Sequence, residues 1–462
     1  MADERILGLN HAVREFPGGF VLVLNTGAII TPEAEAMLQA LHSCSTGGIR
    51  EHLNTLANKG AEKFMESFYV GYGHKSIGDC GTTTIFIEGV SMLVAKAIQD
   101  WLLYSGQEAS TRYIDFSKQR FVDPVGSEES KRILEEWRTF YLASQEPVRE
   151  HLRKQFPRNE GEDEVVYEKA IKARSFDILR GFLPAGASTN LAWHTNLRQA
   201  ADHLMLLRHH PLAEVRMVAE AIEEALKEAH PSSFVHKRHG ETESYNSFWM
   251  NNLYYFLGDP GDESPLVANT ADSFFMAYNS INSHSLAEYE LMMRNRPPKT
   301  ELPKQIAEAG MMQFEFLIDF GSFRDIQRQR SIIQRMPLVT ARFGMHPWYL
   351  ESLPSLERID AAFLIQAQID EIAQLEASAE VRQYYYPMGM CVPCRVTGDL
   401  AALVYVVELR AQKVVHPTLH EVALKIADHL LICFKNLGLK LYIDREQGRF
   451  DVKRGLHDIV QK

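Results

Sequence analysis

A stretch of seventeen residues in this chain is faintly echoed in its second half, and that echo limits the possible folds more than any other feature. Phe314 to Arg330 reads Phe-Glu-Phe-Leu-Ile-Asp-Phe-Gly-Ser-Phe-Arg-Asp-Ile-Gln-Arg-Gln-Arg and aligns without a gap on Phe86 to Leu102, so that Ile98-Gln99 meets Ile326-Gln327. Further on, His210-Pro211 with Glu214-Val215 is echoed by His416-Pro417 with Glu421-Val422, with one residue more in between. Val215, Ala219 and Leu226 map at one constant offset onto Val422, Ile426 and Cys433, although Ile222 then meets His429. Such an echo is the mark of one supersecondary unit used twice. The 462 residues have room for two domains of roughly 200 residues each. Leu257-Gly258-Asp259-Pro260-Gly261-Asp262-Glu263-Ser264-Pro265 reads as the linker. The expected organisation is a first repeat over 1–235, a linker region over 236–266 and a second repeat over 267–462.

Composition narrows the function classes. With 45% apolar and 24% charged residues the chain can bury a substantial core. A net charge of -11 and a pI near 5.9 lack the basic footprint of a nucleic-acid binder. No apolar run reaches the roughly 20 residues of a membrane span, and Met1-Ala2-Asp3-Glu4-Arg5 lacks a basic region followed by an apolar block. A cytoplasmic protein is expected. The five cysteines are too scattered for a disulfide framework. Cys391-Val392-Pro393-Cys394 has metal-ligand spacing but no second pair to complete four ligands. Two half-buried thiols beside a turn are the plainer reading, and no metal is expected.

Local patterns place the elements. Leu9 to Thr26 is strand-like, with Phe20 to Leu24 as a buried run. Thr31-Pro32-Glu33 starts a helix, with threonine as N-cap and proline at the first helical position. Helices are expected over Ala61–Tyr69, over Ser91–Leu103 from the spacing of Met92, Leu93, Ala95, Ile98 and Leu102, and over Ser127–Leu152. Asn159 to Glu164 is an acidic solvated turn.

Between Gly73 and Tyr113 polar residues crowd a segment with core-like flanks. In an extended backbone Glu108, Ser110 and Arg112 share parity, so that a carboxylate, a hydroxyl and a guanidinium can converge on one ligand, which suits a nucleotide. Gly73-His74-Lys75-Ser76, Ile87-Glu88-Gly89-Val90-Ser91 and Glu108-x-Ser110-x-Arg112-Tyr113 together resemble the signature of the flavin-dependent thymidylate synthases (ThyX), Arg-His-Arg-x-x-Ser-x-x-x-x-Ser-x-Arg-Tyr. Ser105, Glu108, Ser110, Arg112 and Tyr113 are kept, while Asp100-Trp101-Leu102 stands where the family has Arg-His-Arg. Arg180-x-x-Leu183-Pro184, Asn196-x-Arg198, Leu207-Arg208 and Glu214-x-Arg216 continue the resemblance in order. Arg208 lies one residue further from Asn196 than the family spacing, which would require a helix bulge.

The resemblance implies an α+β fold of two tandem units, each a β-sheet flanked by long helices. It also implies a reductive methylation of dUMP, or a related pyrimidine nucleotide, with FAD as cofactor and methylenetetrahydrofolate and NADPH as co-substrates. Ser105, Glu108, Ser110, Arg112 and Arg180 would bind substrate, the arginines through the paired donors that suit a phosphate. Arg208 would hold the pyrimidine as the catalytic residue. His74, Ser76, Asn196, Arg198, Arg328 and Arg330 would contact the cofactor, the last two at its pyrophosphate or at the nucleotide. The plainer reading of Arg328 and Arg330 is an ion pair with Asp319 or Asp325. The losses are complementary: Arg328-Gln329-Arg330 falls on Asp100-Trp101-Leu102, whereas Ile333, Met336, Leu338 and Thr340 fall on Ser105, Glu108, Ser110 and Arg112, and Gln383 on Arg180. Arg410 matches Arg208, while Asp399 and Ala401 replace Asn196 and Arg198. The family builds each site from several subunits of a homotetramer, so the repeats are expected to share a site and a homodimer to form the pseudo-tetramer. The alternative is a non-catalytic nucleotide- or flavin-binding scaffold in which the chemistry has decayed.

Overall fold

The computed structural model describes residues 11–24, 30–44, 49–71, 73–109, 114–255 and 274–446. They pack as two compact units: those up to 114 with 119–122 and 187–254 in the first, and 115–118, 123–186 and those beyond 254 in the second. The segment 123–186, which precedes the expected linker, therefore packs with the second unit. The linker's Asp259-Pro260-Gly261 and the residues Ser110 to Tyr113 lie outside the described residues.

In the first unit β1 (His11–Phe16) and β2 (Gly19–Leu24) form a hairpin, followed by helices α1 (Pro32–Cys44) and α2 (Ile49–Lys59). Thr31 caps α1 as expected, its Oγ1 accepting from the Ala34 N–H at 3.1 Å. The helix expected over Ala61–Tyr69 is one α-turn, Glu62–Phe64, running into a π-helix, Met65–Gly71. A wider turn of this kind is invisible to a search for 3.6-residue periodicity. Next come β3 (Thr82–Ser91), α3 (Met92–Gln99) and β4 (Ser105–Glu108). Helix α3 ends four residues short of the expected Leu103.

The helices α4 (Glu128–Ala143), α5 (Gln145–Gln155) and α6 (Glu164–Leu179) then precede β5 (Ser188–Asn196), α7 (Leu197–Leu207), α8 (Ala213–Ala229) and α9 (Gly240–Leu253). The first sheet is antiparallel throughout, in the order β1-β2-β3-β5-β4. Its inward residues alternate along the strands, with Val21, Val23, Ile85, Ile87, Leu191 and Trp193 all buried. Helix α8 covers β1 and β2. At Gly89 (φ +73°) β3 bulges, and a Cβ there would lie 2.1 Å from the Gly18 carbonyl oxygen.

The second unit holds β6 (Phe274–Asn279), β7 (Met311–Asp319), α10 (Phe320–Gln327), β8 (Ile333–Arg335), α11 (Ser355–Gln374), β9 (Cys391–Asp399), α12 (Leu400–Arg410) and α13 (Pro417–Phe434). Its sheet is antiparallel in the order β6-β7-β9-β8. Cys391 and Cys394 sit in β9, just past the turn at Met388–Gly389, and are buried rather than half-buried. Helix α13 packs on β7 and α11 packs on α4. The insert is tied in by Trp137, whose indole N–H donates to the Tyr385 carbonyl at 3.0 Å, and by Tyr385, whose hydroxyl donates to Asp123 at 2.6 Å. The chain is α+β, with two antiparallel sheets. Among the described residues no helix is long and apolar enough to cross a membrane.

Candidate functional site

The polar centre of the second unit is built where β7 passes into α10. Asp319 closes the strand and caps the helix, its Oδ2 accepting from the Ser322 N–H at 2.8 Å and from the Tyr349 hydroxyl at 2.8 Å. Its Oδ1 accepts from the Thr418 hydroxyl, in the first turn of α13, at 2.6 Å. Three donors on a carboxylate that is 0% exposed satisfy what burial would otherwise make costly. Burial pushes the Asp319 pKa up, but His416, His346, Arg180 and the Thr418 hydroxyl outweigh it and hold the carboxyl below its usual range.

His416 completes the network with Nδ1 at 2.9 Å from Thr418 Oγ1 and Nε2 at 3.2 Å from the Asp177 carbonyl. A carbonyl only accepts, so Nε2 carries the proton and Nδ1 is an acceptor. The Thr418 proton is committed to Asp319, which leaves the Ser322 hydroxyl, 2.7 Å from Thr418 Oγ1 and 3.3 Å from Nδ1, as the donor to these acceptors. Burial pulls the His416 pKa down to about 4, which agrees with a neutral ring.

Arg180, at the end of α6, reaches this network with Nη2 3.5 Å from Ser322 Oγ. Burial alone would lower its pKa, yet Tyr349, Asp177, Asp325 and Asp319 raise it, so the guanidinium is held charged. Asp325, on α10, is the second acid: burial pushes its pKa up, and Arg328, Arg180, Arg410 and Arg324 pull it below the usual range. Arg328 lies with Nε 3.8 Å from Asp325 Oδ1, which realises the plainer reading of that residue with Asp325 and not Asp319 as partner. Arg410, the last residue of α12, donates to the Asp325 backbone carbonyl at 2.6 Å. Its pKa is lowered, first by burial and then by Arg328, against the pull of Asp325. Arg330 is exposed just beyond α10.

The first unit distributes the remaining residues differently. Ser105 is exposed on β4 opposite His194, and Glu108 at the end of that strand accepts from Gln99 Nε2 at 2.8 Å. Ser110 and Arg112 lie outside the described residues. His74 and Ser76 are exposed at the short helix Lys75–Gly78. Arg198 reaches the end of that same turn, its Nε donating to Asp79 Oδ1 at 2.7 Å, so His74, Ser76 and Arg198 share one patch. Asn196 caps α7, its side-chain oxygen accepting from the Gln199 N–H at 2.8 Å.

Arg208 does not follow the expected bulge: α7 is an unbroken α-helix and Arg208 is its C-cap residue. Its guanidinium grips both oxygens of Glu243 on α9, with Nε–Oε2 at 2.9 Å, and lies 3.8 Å from Glu223. Trp101, in place of the family histidine, stacks on His203 at 4.6 Å and donates to Gln199 at 2.9 Å. That position is packing, closed by an aromatic pair.

Two places have donors suited to a flavin diphosphate. These are the exposed His74 and Ser76 with Arg198 beside them, and the exposed Arg328 and Arg330 after α10. The residues that sequence reasoning missed are Tyr349, Thr418, Ser322 and His416. Ser322, His416 and Thr418 lie within the repeated blocks, at the strand-to-helix junction and at the second His-Pro, whereas Tyr349 lies outside both, just after His346-Pro347. Among the described residues no group of His, Cys, Asp and Glu could hold a metal ion.

Comparison with known proteins adds two findings. A "UPF0159 protein" of Chlamydia muridarum is 26% identical over 429 residues, covering 80% of this chain and 79% of its own length. Others from Chlamydia pneumoniae and Thermoplasma acidophilum are 24% and 23% identical, covering 79% and 84% of this chain and 77% and 89% of their own lengths. The relatives therefore match both units. The family model described as thymidylate synthase complementing protein matches residues 29–232. The match to the thymidylate synthase complementing protein family thus spans residues 29–232 of this chain, and that is the family that the motifs between Gly73 and Arg216 resemble.

Proposed function

We propose that the chain is a thymidylate synthase-like methyltransferase acting on dUMP or a related pyrimidine nucleotide. FAD would be its cofactor, and methylenetetrahydrofolate and a reduced nicotinamide its co-substrates. The observation that carries this reading is the meeting of Arg180 with Arg328 about Asp325. Arg180 comes from the span that matches the family model, and Arg328 from the second repeated block. Reading the two sheets as copies of one fold supports it further. In each, a central strand leads into a helix and an edge strand, and the next central strand leads into two helices. Two such chains as a homodimer would make the assembly.

The chain's own residues would act by position. Arg180 is fixed by Ser322 and by the charge of Asp319 before any ligand arrives, so its planar fork is already oriented toward an anion. Tyr349 and Thr418, by saturating Asp319, keep that carboxylate from collapsing onto the guanidinium. His416 is neutral near pH 7 and takes up charge only in acid, where it helps to hold Asp319 ionised. Arg328 and Arg330 would meet the diphosphate of the cofactor, which when bound supplies the one-carbon carrier and the hydride.

A second reading, a nucleotide- or flavin-binding scaffold without chemistry, is favoured by the packed Trp101. Two measurements separate them. The purified protein, given FAD and freed of excess, should keep a flavin absorbance spectrum and should then release tritium from C5-labelled dUMP. Flavin retention without tritium release leaves the scaffold standing, and a protein that stays colourless removes the methyltransferase.

A further inference from the structure

The arginine that ends the helix after the second central strand differs between the units in one respect, its distance from the helix cap. Asn196 caps α7 and Arg208 follows twelve residues later, whereas Asp399 caps α12 and Arg410 follows eleven residues later. One residue of α-helix turns a side chain by about 100°. In the first unit that turn delivers the guanidinium to α9, where Glu243 takes it with both oxygens and Glu223 stands behind. In the second it delivers the guanidinium to α10, against the Asp325 carbonyl.

The two environments differ in charge and in satisfaction. Arg208 meets two carboxylates that receive its donors, and so is neutralised within the fold. Arg410 stands with Arg180, Arg324 and Arg328 about Asp325, while Arg180 also lies in the field of Asp177 and Asp319. The buried Nε of Arg180 and the buried Nε of Arg410 have no hydrogen-bond partner among the described residues. Asp319 cannot serve them, because its oxygens already accept from Ser322, Tyr349 and Thr418. Buried donors left unmet beside excess positive charge are what an absent anion leaves behind.

We infer that Arg410, together with Arg180, holds the anionic group of the ligand, a phosphate ester or diphosphate, and that Arg208 is a structural residue. The inference rests on the nucleotide reading for what carries the phosphate, but not for the charge that is recognised.

Calorimetric titration of the full chain with dUMP and, separately, with inorganic pyrophosphate tests it. Arg410→Ala should weaken every probe that the wild-type protein binds by at least about tenfold, as loss of one charge-assisted pair implies. Arg208→Ala should leave affinity within about twofold while lowering the melting temperature, since it strands Glu243. Arg410→Lys keeps the charge but not the fork, and is the variant to read if Arg410→Ala does not fold; it should bind several-fold more weakly.

Unchanged affinity in either Arg410 variant, or a loss confined to Arg208→Ala, overturns the inference and leaves the nucleotide reading intact. Pyrophosphate binding that depends on Arg410, without any dUMP binding, upholds the inference and removes that reading. A wild-type protein that binds neither probe overturns the inference outright.

Discussion

The two units solve one joint with the same pair of chemical groups in opposite places. In the first, Ser91 ends β3 and caps α3, and its backbone N–H and hydroxyl donate to Glu214 in the first turn of α8 at 3.0 and 2.6 Å. In the second, Asp319 ends β7 and caps α10, and Thr418 in the first turn of α13 donates to it at 2.6 Å. Acid and hydroxyl have changed sides. Either arrangement locks the strand-to-helix corner to the helix that covers the sheet. Only the second puts the carboxylate at the buried strand end, where its charge reaches Arg180. A structural fastening can thus acquire an electrostatic task by exchanging partners, without a change of backbone plan.

The comparison breaks first at Asp319. Replacing it with alanine leaves Arg180 short of a buried counter-charge and three donors unmet, so Asp319→Ala should cost roughly 3–5 kcal/mol in denaturant unfolding. Asp319→Asn, which keeps the shape, should recover part of that loss. A change below about 1 kcal/mol in the alanine variant would mean that Arg180 draws its stability from Asp177 and Asp325 instead.

Acid tests both units through buried histidines. Burial lowers the pKa of His203 and His230 in the first unit and of His416 in the second to about 4. The unfolded chain takes up a proton at each from about pH 6.5 downward, whereas the folded chain does so only near pH 4. Stability present above that window is therefore lost as pH falls through it, by roughly 3 kcal/mol for each histidine at the acid end. Melting temperatures measured from pH 7 to pH 4.5 should decline steeply, and His416→Gln should flatten the part of the decline that belongs to the second unit. A melting temperature constant over that range would contradict the neutral burial of these rings.

Much of this was legible beforehand, and the physical reasons for the rest are specific. The block Phe314 to Arg330 was read only as a match to Phe86 to Leu102, and α10 falls on the place of α3, whose helical spacing is a local signal. The Thr31 cap and the strand ending at Leu24 were equally local. The π-helix at Met65 was not, since its hydrogen bonds follow packing and not propensity. Arg180 was recognised from its motif, but apart from Asp177 its partners Asp319, Ser322, Asp325 and Tyr349 lie at α10 and on the short helix Pro347–Glu351, more than a hundred residues away in sequence. Arg410 was seen only as a match to Arg208. The one-residue difference that redirects it is plain in the sequence, yet gains meaning only when α9 and α10 are known to stand at the two helix ends.

The smallest effect gives the sharpest test of the exchanged fastening. Ser91→Ala removes the oxygen that accepts from the Val94 N–H at 3.1 Å and donates to Glu214. Its backbone N–H still donates to Glu214, and that carboxylate is only half-buried, so water can take over the lost bond. The expected cost is that of a cap, about 1 kcal/mol, well under that of Asp319→Ala. The reverse exchange, Ser91→Asp with Glu214→Thr, would move the acid to the strand end as in the second unit. Along α3, Lys96 is already 3.6 Å from Asp100. The double variant should be less stable than Ser91→Ala by chemical denaturation, because placing a carboxylate at position 91, which is 0% exposed, costs more than a missing hydroxyl. Equal stability would mean that the fastening is symmetric, and that its charge matters in neither unit.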